Sequence, residues 1–135
     1  MAEFDDEDLD EIITAVKLIT KDLDESMRAD DELNINAVLG NNDLAFETVK
    51  AGRELNIEII SGYNNTSACT RIRVGYWNGH RFNWLVTEPA PLVTETVAIV
   101  SPLRLRAGMY PVVRFEDCAA DDDIYASLNG YWKKI

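Results

Sequence analysis

Few residues in this 135-residue chain have the types and spacing that catalysis requires. His80 is the only histidine, and no serine or cysteine stands at a recognisable spacing to act as its nucleophilic partner. The sequence also lacks a G-x-S-x-G turn, a phosphate-binding glycine loop and an H-E-x-x-H motif. We therefore predict that the protein is not an enzyme and needs no cofactor.

Two further groups could hold a metal ion or form a covalent link. The aspartates at 121–123 could bind calcium through oxygen, but the glycine and distal glutamate of an EF-hand are missing, so a solvated turn is the favoured interpretation. Cys69 and Cys118 lack C-x-x-C spacing, and a single histidine cannot complete a zinc site with them. They could form a disulfide, but without a secretory signal two buried free thiols are favoured, and we predict no metal.

Charge is distributed unevenly along the chain. Residues 1–34 hold 13 of the 24 acidic side chains and only three basic ones, so they carry −10 of the net charge of −11. Phosphate backbones are bound by clustered lysine and arginine, so we expect no nucleic-acid partner. No apolar run approaches the roughly 18–20 residues that cross a bilayer, so we expect no membrane partner. The acidic N-terminus is unlike a secretory signal, which predicts folding in the cytosol.

Residues 1–33 are predicted to form an acidic helical arm. The acidic run at 5–8 suits a helix N-terminus, where unpaired N–H groups and the helix dipole favour negative charge. Apolar residues follow at the 3-4-3-4 spacing of a heptad seam: Leu9, Ile12, Val16, Ile19 and Leu23. Two interpretations stay open. The arm is either an amphipathic helix packed on a β-body, or a short parallel coiled coil whose core residues favour trimers or larger assemblies.

Residues 34–135 are predicted to form a β-body. Short alternating runs predict strands near 44–50, 54–61, 69–76, 80–87, 93–100, 103–106, 110–116 and 123–132, separated by glycine, proline and asparagine. Seven or eight strands at this spacing predict a mainly β fold, a β-sandwich or jelly roll, preceded by the N-terminal amphipathic α-helix.

The hairpin at Asn78-Gly79 can be assigned a register from its pattern. A three-residue loop at 77–79 would place Tyr76 opposite His80 and Val74 opposite Phe82. Burial favours this register, because one face then collects the apolar residues Ile72, Val74, Tyr76, Phe82, Trp84 and Val86.

Exposed aromatic and arginine residues are the candidate contacts. The last strand alternates, so Tyr125 and Tyr131 share a half-polar face that suits either a protein interface or a sugar, or that simply fits a sheet. Trp77 at the hairpin tip is the best candidate for a sugar platform. The body arginines could pair with body acids or receive the acidic arm of another copy. The predicted contact residues are Trp77, Tyr63, Tyr125, Tyr131, Arg71, Arg73 and Arg81.

The C-terminal third resembles the closing strands of small jelly-roll virion proteins of tailed bacteriophages. The residues that carry the resemblance are LRLRAG at 103–108, PVVRF at 111–115 and DDIYASLNGYW at 122–132. In that family a strand, an Ala-Gly turn, a second strand and a final Gly-Tyr-Trp strand recur. The resemblance covers about 30 residues, implies a role in capsid cementing, a head–tail connection or a tail, and carries over no catalytic residue.

The predicted function is therefore that of a non-enzymatic oligomeric virion structural protein. Its expected partners are copies of itself, as a homotrimer or larger assembly, and other virion proteins such as a major capsid protein. We expect it in the virion, after assembly in the host cytoplasm. The alternatives are a carbohydrate-binding β-sandwich and an acidic inhibitor that mimics nucleic acid.

Overall fold

The computed structural model describes residues 11–14 and 28–135. Residues 11–14 are helical, and Ile12 is 49% exposed. The other residues of the predicted seam, Leu9, Val16, Ile19 and Leu23, lie outside the described residues. The helical arm and its coiled-coil alternative therefore stay predictions.

Nine strands form two antiparallel sheets. The strands are β1 (Asp31–Asn36), β2 (Gly40–Ala45), β3 (Arg53–Asn64), β4 (Arg71–Trp77), β5 (Phe82–Pro89), β6 (Val97–Ile99), β7 (Leu103–Leu105), β8 (Tyr110–Cys118) and β9 (Asp123–Lys134). The first sheet has the order β1-β9-β3-β6, with β7 also paired to β3, and the second has the order β2-β8-β4-β5. The predicted mainly β fold is confirmed, and the two antiparallel sheets are consistent with a β-sandwich.

The two sheets enclose one apolar core. Strand β3 contributes Leu55, Ile57 and Ile60, and β9 contributes Ile124, Ala126 and Leu128, each with at most 3% of its surface exposed. The second sheet faces them with Ile72, Val74, Val113 and Phe115. Each fully buried side chain of this size stabilises the fold by about 1.5–3 kcal/mol relative to an exposed one.

The two sheets approach each other closely at Gly62 on β3. A Cβ at this position would lie 2.7 Å from Cγ1 of Val113 on the facing sheet. Real Cβ atoms essentially never come this close to another heavy atom, so a side chain here would force the two sheets apart.

The first strands of the body differ from the prediction. β1 begins at Asp31 and pairs with β9, so the first sheet includes residues 31–33, which we predicted to belong to the arm. β2 spans Gly40–Ala45, whereas we predicted a break at 40–42 and a strand at 44–50. The reason is that β1 is a polar edge strand with little apolar alternation, so the pattern that reveals a half-buried strand is weak there.

The predicted register of the β4–β5 hairpin is wrong. Trp77 pairs with Phe82, and Gly75 pairs with Trp84, so the loop has four residues, 78–81. The Asn78 side chain fixes this loop, because its Oδ1 accepts hydrogen bonds from the backbone N–H groups of His80 and Arg81, both at 2.9 Å. The register differs from the predicted one by an odd number of residues, so Phe82 and Trp84 point away from the core.

Beyond a β-bulge, the part of this hairpin farther from the turn has the predicted orientation, with its apolar residues toward the core. The register shifts between Val74 and Gly75, so that Val74 pairs with Val86. Gly75 is required here because a Cβ would collide with the backbone carbonyl oxygen of Asn83. Phe82 and Trp84 therefore face outward with Trp77, while Tyr76 and Val86 pack against the core.

No helix in residues 11–14 and 28–135 is both long and apolar enough to cross a membrane.

Candidate interaction surface on the second sheet

Four aromatic side chains cover part of the outer face of the second sheet. Trp77 comes from β4, Phe82 and Trp84 from β5, and Tyr110 from β8, and the ladder places Trp77 between Phe82 and Tyr110. The rings of Phe82 and Trp84 stack with centroids 5.2 Å apart, and Trp77 meets Phe82 edge-on at 5.0 Å. Trp77 and Tyr110 stack at 6.4 Å. The four rings form one continuous contact network.

The network covers an apolar patch outside the main core. Val112 on β8 pairs with Gly75, which in turn pairs with Trp84. Val112 has no exposed surface, although it is not part of the core cluster between the sheets. The rings therefore bury a small apolar area of their own on the outer face.

Two arginines lie against these rings. The Arg114 guanidinium is 4.7 Å from the ring centroid of Phe82 and 4.8 Å from that of Trp84, and Arg73 is 6.0 Å from Trp84. Cation–π contacts of this kind contribute about 0.5–2 kcal/mol each, with the larger values at desolvated sites. We call Trp77, Phe82, Trp84, Tyr110, Arg73 and Arg114 the arginine–aromatic layer.

Carboxylates hold the arginines of the layer in place. Asp43 on β2 accepts two hydrogen bonds from Arg114, at 2.7 Å from Nε and 2.9 Å from the terminal nitrogen. Hydrogen bonding to Asp43 raises the pKa of the Arg114 guanidinium, an effect that burial partly opposes. Bidentate pairs of this kind fix the plane of the guanidinium as well as its position. Arg114 is thus oriented before any partner arrives.

Glu116 bridges the two remaining arginines of this face. It lies 3.3 Å from Nε of Arg71 and 3.4 Å from Nε of Arg73. The Nε of Arg73 is buried, and it has no hydrogen-bond partner among the described residues. The arginines that we predicted either to pair with body acids or to receive the acidic arm of another copy therefore pair with body acids at Arg71, Arg73 and Arg114.

The predicted contact residues fall into separate groups. Trp77, Arg71 and Arg73 lie on the outer face of the second sheet, and Arg81 is exposed in the hairpin loop. Tyr63, Tyr125 and Tyr131 lie on the outer face of the first sheet, on the opposite side of the sandwich. The predicted residues therefore do not form one site.

Tyr63 and Tyr125 form a second, smaller aromatic feature. Their rings stack with centroids 4.9 Å apart and planes 11° from parallel. The Tyr125 hydroxyl donates a hydrogen bond of 2.9 Å to Asp123, which also accepts one of 2.7 Å from Asn34. The bond from Asn34, followed by that from Tyr125, lowers the pKa of Asp123, and the bond to Asp123 raises the pKa of Tyr125. Tyr131 lies further along β9, opposite Asn56, and is 37% exposed.

The turn at 121–123 is not the solvated turn that we predicted. Asp122 is only 1% exposed, and one of its oxygens accepts hydrogen bonds from Asn64 at 3.0 Å, Ser67 at 2.6 Å and the backbone N–H of Ala119 at 2.9 Å. This carboxylate fastens the β3–β4 loop to the β8–β9 turn. Among the described residues, no cluster of three or more histidine, cysteine or acidic side chains could hold a metal ion.

The remaining chemical candidates are the two cysteines and His80. His80 is exposed in the hairpin loop. Cys69 and Cys118 are buried free thiols, as favoured from the sequence, and their sulfur atoms are 3.8 Å apart. The sequence pattern did not identify Phe82 and Trp84 as surface residues, because the hairpin loop has four residues, 78–81, where a three-residue loop was predicted, and it gave no sign of Tyr110.

No protein-family model matches the sequence, and no curated protein matches it either. Among solved structures, the chain is similar to the capsid of Helicobacter pylori bacteriophage KHP30, at 10% identity and a TM-score of 0.45 over 78% of this chain and 100% of that one. It is also similar to the virus-like particle of Macrobrachium rosenbergii extra small virus, at 11% identity and a TM-score of 0.42 over 80% and 79% of the chains.

A third similar structure is the core of Drosophila NLP, a structure that concerns pentamer formation and histone binding. It shares 13% identity with a TM-score of 0.40, over 78% of this chain and 99% of that one. At such scores these likenesses do not indicate a function.

Proposed function

We propose that this protein is a non-enzymatic structural component of a tailed-phage virion, which assembles with copies of itself and with neighbouring virion proteins such as a major capsid protein. The arginine–aromatic layer is the observation that carries the proposal, and the outer face of the second sheet is the contact surface. Tryptophan, tyrosine and arginine are the residues that contribute most binding energy at protein interfaces.

The layer is built for contact because its side chains are already ordered. Arg114 is fixed by two bonds to Asp43 and stacks on Phe82 and Trp84. An ordered surface loses little side-chain entropy when a partner binds, so a larger share of the contact energy appears as affinity. A layer with this composition on an outer sheet face favours a protein partner.

The strand order supports the placement in a virion. The chain passes from sheet to sheet so that β1, β9, β3 and β6/β7 form one sheet and β2, β8, β4 and β5 form the other. This is the arrangement of the eight-stranded jelly roll, with β6 and β7 as two parts of one edge strand, and jelly rolls recur in viral capsid proteins as well as in lectin domains and cupins. It agrees with the resemblance of residues 103–132 to phage virion proteins.

The geometry of the rings disfavours the sugar-binding alternative. A sugar stacks on a free aromatic face, whereas Arg114 lies over Phe82 and Trp84, and Trp77 is in contact with both Phe82 and Tyr110. The acidic-mimic alternative gains no support from this face either, because Arg71, Arg73 and Arg114 outnumber Asp43 and Glu116 there.

Solution mass from light scattering on a sizing column tests the proposal. We expect the full chain to be a trimer or larger, and the Trp84→Ala variant to fall to smaller species while remaining folded by circular dichroism. Tyr131→Ala is the matched control, because it removes an aromatic side chain from the outer face of the other sheet. A monomeric full chain, or equal loss of assembly in both variants, would contradict the role of the layer in self-assembly. Binding of glycans by such a monomer would then favour the carbohydrate-binding alternative.

A further inference from the structure

Cys69 and Cys118 meet inside the sandwich although 49 residues separate them in the sequence. Their sulfur atoms are 3.8 Å apart, and the residues are 3% and 1% exposed. Cys69 precedes β4, and Cys118 is the last residue of β8. Nothing in the proposed function uses this pair of thiols.

The ends of two paired strands bring the thiols together. The β4–β8 ladder pairs Arg71 with Glu116, and just beyond it the backbone N–H of Thr70 donates to the carbonyl oxygen of the same Glu116 at 3.1 Å, so the register is interrupted next to Asp117, which has a positive φ of 57°. Cys69 and Cys118 follow close behind on the two chains, and their sulfur atoms are 3.8 Å apart. A disulfide has its sulfur atoms about 2.05 Å apart, so closing the bond requires them to approach by less than about 2 Å.

We propose that Cys69 and Cys118 form an intramolecular disulfide when the protein meets a low-molecular-weight disulfide such as oxidised glutathione. One cysteine thiolate attacks the reagent, forms a mixed disulfide and releases one reagent thiol. The second cysteine then displaces the other reagent thiol and completes the Cys69–Cys118 bond. The protein loses two protons and two electrons, which together are two hydrogen atoms, and the reagent gains them as two thiols.

The surroundings of the thiols make this reaction slow in the folded protein. Burial, followed by the neighbouring Cys69 thiol, raises the pKa of Cys118 to about 12, so the reactive thiolate is scarce. A reagent reaches the pair when the β3–β4 loop at 65–70 opens, and the pair remains reduced where thiols are kept reduced.

The closed bond would join the start of β4 to the end of β8. It would restrict a loop of about 50 residues in the unfolded chain, which raises the midpoint of thermal unfolding by on the order of 10 °C for a domain of this size. If the proposed virion role is correct, the protein would assemble with free thiols in the host cytoplasm, and the disulfide would form after the virion is released from the host. That timing rests on the proposed function, whereas the bond itself does not.

Refolding in a glutathione redox buffer tests the bond without depending on reagent access. The full chain is unfolded, refolded at an oxidising glutathione ratio until its thiol content is constant, and analysed by intact mass and non-reducing peptide mapping. We expect a mass loss of two hydrogens, one peptide pair joining Cys69 to Cys118, and a raised unfolding midpoint that returns to its reduced value with dithiothreitol. The Cys118→Ala variant is the control, and its midpoint should not respond to the buffer.

Three results would overturn the proposal. They are two free thiols persisting in the refolded protein, cysteines linked between chains, and an unfolding midpoint that is unchanged or lowered by oxidation. None of these readouts depends on the number of copies in the assembly. Failure of the disulfide therefore leaves the proposed assembly role standing, and a monomeric protein could still form the bond.

Discussion

Replacing Asp122 with asparagine should destabilise the fold strongly at neutral pH and weakly in acid. One oxygen of the Asp122 carboxylate accepts three hydrogen bonds, from Asn64, Ser67 and the backbone of Ala119. A hydrogen bond to a charged group contributes about 1.5–3 kcal/mol and a neutral one about 0.5–1.5 kcal/mol. Asparagine can keep the acceptor oxygen but loses the charge, so the expected loss at pH 7 is about 3 kcal/mol.

The pH dependence of this loss follows from the pKa of Asp122. Burial favours the neutral acid, but the hydrogen bonds from Ser67, Asn64 and Ala119 outweigh it and lower the pKa of the native carboxyl group. Because the folded protein binds this proton less readily than the unfolded chain, the stabilisation is present above the unfolded pKa of about 3.9 and is lost as pH falls through the native pKa. The difference between wild type and Asp122→Asn should therefore shrink below about pH 4.

Urea unfolding at a series of pH values measures this difference directly. Asp121→Asn is the matched control, because Asp121 is the exposed neighbour in the same turn, and it should change stability by less than about 0.5 kcal/mol. A gap between wild type and Asp122→Asn that is below about 1 kcal/mol at pH 7, or that stays constant down to about pH 3, would refute this reasoning.

Three further predictions concern the second sheet and the arm. Gly75→Ala should lower the free energy of unfolding in urea by about 2–3 kcal/mol, because the new Cβ would collide with the Asn83 carbonyl. Gly79→Ala should lower it by only about 1 kcal/mol, because Gly79 has a positive φ but open space around it. A double-mutant cycle of Asp43→Ala and Arg114→Ala should give a coupling of about 1 kcal/mol that falls with added salt, and zero coupling would show that the pair does not order the layer. If acidic arms bind the arginines of other copies, high salt should reduce the mass measured by light scattering, and an unchanged mass would argue against this contact.

The parts of the fold that the sequence revealed are those where burial enforces a simple alternation. Ile124, Ala126 and Leu128 alternate with Tyr125 and Ser127 along β9, and each of the three apolar residues is at most 3% exposed. β9 lies inside the first sheet between β1 and β3, so one of its faces must be apolar.

The parts that the sequence did not reveal depend on contacts between distant residues. The outward position of Phe82 and Trp84 is set by the four-residue loop, and the bulge opposite Gly75 lets Val86 still face the core, because a single extra residue exchanges the two faces of a strand. The approach of Cys69 to Cys118 and the burial of Asp122 depend on loops that meet only after both sheets form. The glycine at 75 and the asparagine at 78 were the local signals that could have indicated a longer loop with a bulge.

The size of the arginine–aromatic layer indicates that it cannot hold copies together alone. Its four rings are already half-buried, so a partner could cover roughly 200 Å² more of their surface, well below the about 800 Å² per partner of a stable interface. Association itself costs about 4–15 kcal/mol, so this area would give at best a weak contact. A stable assembly therefore needs a second contact in the same chain, and the predicted seam of the arm is the candidate.

We therefore predict that assembly requires both the arginine–aromatic layer and the arm. Deleting residues 1–27, which leaves β1 intact, should reduce the solution mass as fully as Trp84→Ala does, and combining both changes should add nothing. Two contacts that each hold the copies together independently would instead show partial loss in each single variant and full loss only in the combination. Light scattering over a range of protein concentrations separates these outcomes. If neither contact alone can hold the copies together, each single variant loses the assembly at every concentration measured.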